Sequence, residues 1–148
     1  MSRTKTRLYK ELAALVDAVQ NCRKSNNTEW EAEHRDSIET LVKNYLPSGG
    51  GIDTGTKLDL EASTPNKLVF HFSYHHMNDA GMYDGWTDHV LTVTPDLRYG
   101  FDTRISGKDR NDIKEYLYEI YHNDLTQKVW QDEDGNWHSA KWETAPPE

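Results

Sequence analysis

One cysteine, three phenylalanines and five prolines in 148 residues leave several kinds of protein out of reach. Cys22 stands alone, so no disulfide can close within the chain and no cysteine-rich zinc site can form. A lone thiol fits a reducing cytosol. No apolar run is long enough to span a membrane. The first residues, MSRTKTRLYKELAALV, are basic, but no signal-peptide core or small-residue cleavage site follows them. The expectation is a cytoplasmic protein. Hydrophobic residues make up only 35% of the chain, and aromatics at 11% must carry much of the burial. A core rich in Phe, Tyr and Trp, wrapped in polar faces, follows from that balance.

Positive charge is also scarce outside one segment. The net charge is -8. Residues 1–24 carry Arg3, Lys5, Arg7, Lys10, Arg23 and Lys24 against Glu11 and Asp17, and the rest of the chain holds the acidic excess. Acidic surface repels phosphates, so direct nucleic-acid binding by the whole domain is not expected. The same surface would attract a partner with a basic face, a nucleic-acid-binding protein among them.

What is present reads as one α+β domain. Leu8, Leu12, Leu15, Val16 and Val19 recur at helical spacing and predict a helix over residues 4–23. Thr28 with Glu31 three residues later has the pattern of a capping box, opening a second helix that runs to Tyr45. The stripe of that helix is Trp30, His34, Ile38, Leu41, Val42 and Tyr45. Pro47-Ser48-Gly49-Gly50-Gly51 ends it; without a Gly-Lys-Ser/Thr ending the glycines read as a helix stop and connector, not a phosphate cradle. Four strands are then expected over residues 57–61, 68–77, 86–94 and 99–105, joined by short turns into an antiparallel meander. Asp79-Ala80-Gly81 and Asp84-Gly85 carry the turn signals between the two long strands. A third helix is expected over residues 109–125. Residues 126–148 form a Trp-rich tail, with Asp134-Gly135 suggesting a small hairpin between Trp130 and Trp137 and a frayed end. The predicted fold is a helical pair, a four-stranded antiparallel meander, and a C-terminal helix packed on one sheet face.

Strand alternation sorts the candidate chemistry. Leu58, Leu60, Phe70, Phe72, Tyr74, Leu91, Val93, Phe101 and Ile105 share an apolar face. Asp59, Glu61, His71, Ser73, His75, Thr92, Thr94, Asp102 and Arg104 share the other, an open face of carboxylates, imidazoles and a guanidinium. General acid–base work on that face would fall to His71 and His75 with Asp102 and Arg104. Such a face is most often plain solvated sheet, and as a binding surface, the reading placed ahead of catalysis, Asp59 and Glu61 would be joined by Asp79, Tyr83, Asp84 and Trp86 of the hairpin. The hairpin holds four of the seven histidines. Adjacent His75 and His76 point to opposite faces and His89 leans toward the core, so no metal site is expected. No cofactor is called for. Cys22, at the wrong end of a helix dipole, is not a candidate nucleophile.

The run GMYDGWTDHVLTVTPDLRYGFDTRISGKDRNDIKEYL resembles a family of small uncharacterised accessory proteins of bacteriophages and plasmids, mainly across residues 67–120. The resemblance implies no catalytic residue. It implies a mobile-element setting, in which such proteins bind and inhibit host restriction or CRISPR complexes. The leading expectation is an interaction protein of this kind, directed at a host protein or protein–nucleic-acid complex with a basic surface. A small hydrolase or transferase using the open sheet face is the alternative. The sequence leaves the oligomeric state open.

Overall fold

The computed structural model describes residues 5–48, 52, 55–77, 80–105 and 113–141. In chain order the elements are β1 (Thr6–Arg7), α1 (Leu8–Lys24), α2 (Thr28–Tyr45), β2 (Lys57–Leu58), β3 (Leu68–Met77), β4 (Tyr83–Val93), β5 (Tyr99–Ile105), α3 (Ile113–Thr126), β6 (Lys128–Gln131) and β7 (Trp137–Ser139). The fold is α+β, and β2-β3-β4-β5 form the expected antiparallel meander. The helical pair is also as expected.

The turn between the helices serves both of them. Asn26 takes φ 57, a left-handed conformation that asparagine tolerates better than most residues. Its N–H donates to the Arg23 carbonyl, and the N–H of Asn27 donates to that of Cys22 at 2.8 Å. This is the double closure of a Schellman motif. Asn27 then caps α2, its side chain accepting from the N–H of Trp30 at 3.1 Å. The expected cap at Thr28 is therefore displaced by one residue. Asparagine is at least as good a cap, and with Trp30 in the third helical position Glu31 no longer reaches back. Glu31 instead accepts from Arg23 Nε at 3.0 Å.

Three other expectations shift. Residues 6 and 7, assigned by periodicity to the first helix, form β1, which pairs with β6. The strand expected over residues 57–61 stops at Leu58, because Asp59 starts a turn: its Oδ1 accepts from the Ala62 N–H and its carbonyl from Ser63 Oγ at 2.6 Å. The third of the four expected strands, starting at Trp86, begins earlier, at Tyr83, because Gly85 is not a loop residue. At φ 89 it absorbs one extra residue of β4 where the register slips between His75–Trp86 and Met77–Tyr83, a β-bulge. The third helix is described from Ile113; residues 109–112 of its expected span lie outside the described residues.

The core lies between the helices and one sheet face. Leu8, Leu12, Val16 and Val19 of α1 and Ile38, Leu41 and Val42 of α2 join Phe70, Phe72, Leu91 and Val93 of the sheet and Leu117, Tyr121 and Leu125 of α3 in one buried cluster. α3 meets the sheet through Phe72 and Tyr121, whose ring centres are 4.7 Å apart. The tail folds back on its own chain. β6 and β7 form the expected hairpin, β1 adds a third strand, and Trp130 is buried at 3% exposure. Lys141 Nζ, 2.6 Å from the buried carboxylate of Asp124, ties the hairpin to α3. Among the described residues no helix is long and apolar enough to cross a membrane.

Candidate functional site

Register builds the open sheet face row by row. His71 stands opposite Lys57 on β2 and Val90 on β4, with Asp102 of β5 beyond Val90. Ser73 faces Asp88, with Arg104 beyond; His75 faces Trp86. Two strand spacings, about 10 Å, separate His71 from Asp102 in the backbone. Asp102 is therefore not the partner of His71. That place is taken by Asp59, whose Oδ2 lies 2.8 Å from His71 Nε2. The imidazole hydrogen bond, followed by the Ala62 N–H, holds the Asp59 carboxyl below its usual range. Both side chains stay partly open to water, His71 at 47% and Asp59 at 31%.

Ser73 does not reach a histidine. Its hydroxyl donates to Asp88 Oδ1 at 2.5 Å. Ser73 and His71 are thus each bound to a different carboxylate and not to each other. Lys57, His71, Ser73, Asp88 and Val90 line a depression of about 250 Å³, smaller than the ligand clefts of most enzymes.

The sequence-derived binding residues scatter. Glu61 is held by Arg23, with Nη2 to Oε1 at 2.9 Å. Asp59 serves His71. Trp86 is 36% exposed beside His75. Tyr83 and Asp84 lie at the start of β4, and Asp79 lies outside the described residues. Asp88 also stands on the open face, opposite Ser73, and was not among the candidates. Its parity with Val90 and Thr92 carried the signal.

The remaining hairpin histidines meet on the core side. Thr87 Oγ1 sits between His76 Nε2, at 3.1 Å, and His89 Nε2, at 2.7 Å. All three residues are buried, and a hydroxyl can donate to one ring while accepting from the other. His89 stacks on Phe72 with ring centres 5.0 Å apart. Burial first, and then neighbouring His76 and Lys114, push the His89 pKa down to about 4. The ring is neutral at ordinary pH. Among the described residues no group of three or more His, Cys, Asp or Glu is placed to hold a metal ion.

Known proteins offer no match, whether family models, curated proteins or solved structures.

A second surface emerges on α2. Glu29, Glu33, Asp36 and Glu39 fall at intervals of four, three and three, one stripe along the helix, and all are exposed. Among the described residues none of the four has a cationic partner within ion-pair distance. Beside the stripe Trp30 is 54% exposed, its ring centre 6.0 Å from that of His34. Neither feature was singled out by strand-based reasoning, because Trp30 was assigned to the buried stripe of the helix. The actual buried stripe begins at Ile38.

Proposed function

We propose that this chain is a non-enzymatic binding protein whose partner presents a basic surface. The partner is a host protein or protein–nucleic-acid complex in the cytoplasm. The resemblance of residues 67–120 to accessory proteins of mobile elements supports an inhibitor of a nucleic-acid-directed defence complex, of the anti-restriction or anti-CRISPR type. The observation that carries the binding reading is the α2 stripe with its neighbouring indole. Like charges three or four residues apart destabilise a helix by about 0.2–0.5 kcal/mol per pair. An exposed tryptophan within an acidic field has the composition of an interface anchor rather than of ordinary surface. The open sheet face, where His71 is bound to Asp59 and Ser73 to Asp88, supports the same reading.

The test is affinity for candidate basic host complexes, measured by surface plasmon resonance from 50 to 300 mM NaCl. Electrostatic association should weaken about tenfold or more over that range. A complex indifferent to salt would remove the electrostatic version. A second reading, a small hydrolase or transferase, is supported by the His71–Asp59 contact alone. In that case Asp59, and not Asp102, orients the base. Replacing His71 and His75 together by alanine should then abolish turnover of an activated ester while leaving the melting temperature almost unchanged; equal turnover in the double variant rejects it.

A further inference from the structure

Between α1, α2 and the β6–β7 hairpin lies a groove of about 570 Å³. It is distinct from the open sheet face and within the size range of ligand sites. Trp30 and Trp137 supply indoles, Leu15 an apolar floor, and Glu11, Glu33 and Asp36 carboxylates. No lysine or arginine lines it. Among the described residues Glu33 and Asp36 have no cation of their own and the indole N–H of Trp30 meets no acceptor.

This combination matches one kind of side chain. A guanidinium is planar, stacks on aromatic faces, stays charged at any pH and donates in a fork that carboxylates accept. Its three-carbon stem suits a leucine floor. We propose that the groove is an arginine-binding site for a basic peptide segment of a protein partner. The inference rests on the binding reading above and adds its chemistry and place. Lysine fits less well, because a compact, strongly hydrated ammonium gains less from a flat indole.

The protein's five tryptophans make the test direct. The full chain, labelled with nitrogen-15, is titrated at low salt with the capped peptide Gly-Arg-Gly-Arg-Gly, with its lysine counterpart, and with its citrulline counterpart as a neutral control. The indole N–H signals of Trp30 and Trp137 should shift saturably with the arginine peptide, about tenfold more weakly with lysine, and negligibly with citrulline. Trp30→Ala should weaken binding about tenfold with an unchanged melting temperature, since that side chain is half exposed. Glu33→Gln with Asp36→Asn should weaken it severalfold. Saturable shifts confined to the open sheet face would overturn the groove while leaving the basic-partner reading standing. No saturable shift at millimolar arginine peptide would overturn both. Equal affinity for the lysine peptide would overturn the arginine assignment.

Discussion

The buried hydroxyl of Thr87 shows how much a single residue can decide. It lies within hydrogen-bonding distance of two buried imidazoles at once. Replacing it with valine keeps the shape but removes the hydroxyl from both buried ring nitrogens. A loss of about 2 kcal/mol or more in urea-determined stability is expected, against well under 1 kcal/mol for a surface threonine. The same pair sets a pH dependence. His89 has its folded pKa lowered from 6.5 to about 4, so between those values the unfolded chain binds more protons than the folded one. Stability is complete above pH 6.5 and falls as the pH drops toward 4, by up to about 3 kcal/mol if His89 acts alone. His76, Lys114 and Asp88 act on the same ring. Stability measured from pH 7 to pH 4 should slope downward, and His89→Phe should flatten it. Parity alone separated His71 and His75 from His89. It could not show that His76 and His89 share a hydroxyl, because that depends on cross-strand register and on rotamers.

At the scale of elements, the sequence was readable where one local force acts and misleading where two compete. Helix α2, strands β3 and β5 and the tail hairpin lie almost where their periodicity puts them. The short second strand did not, because Asp59 uses its side chain to close a turn that alternation cannot reveal. Residues 6 and 7 belong to a strand for a non-local reason, the presence of β6 more than a hundred positions later. The pairing of His71 with Asp59 in place of Asp102 has the same origin: face assignment groups residues but does not say which row each occupies. Two substitutions test the local part. Asn27→Ala removes the α2 cap and should cost about 1 kcal/mol. Gly85→Ala places a side chain at φ 89 in the β4 bulge and should cost about 1–2 kcal/mol. In each case the shift in urea midpoint, with an unchanged denaturant slope, is the readout. A neutral Gly85→Ala would mean that the bulge relaxes.

For the molecule as a whole, charge acts on folding and on association in opposite directions. A net charge of -8 sets the carboxylates of the folded chain against one another, among them Glu29, Glu33, Asp36 and Glu39. Compaction brings those charges closer than they are in the unfolded chain, so added salt relieves the native state more than the denatured one. The melting temperature should therefore rise by a few degrees between 20 and 300 mM NaCl, where the screening length shrinks from roughly 20 Å to below 10 Å. Over the same range, binding to a basic partner should weaken, because the screened attraction is the one that steers and holds the complex. Glu33→Gln with Asp36→Asn should mimic salt on both counts, raising the melting temperature slightly at 20 mM and lowering affinity for an arginine-rich partner. An acidic stripe that served only solubility would give the first effect without the second. A stripe compensated by cations in the folded chain would give neither, and its neutralisation would lower stability. Measuring both quantities on one variant therefore separates a surface kept for a partner from a surface kept for solvent.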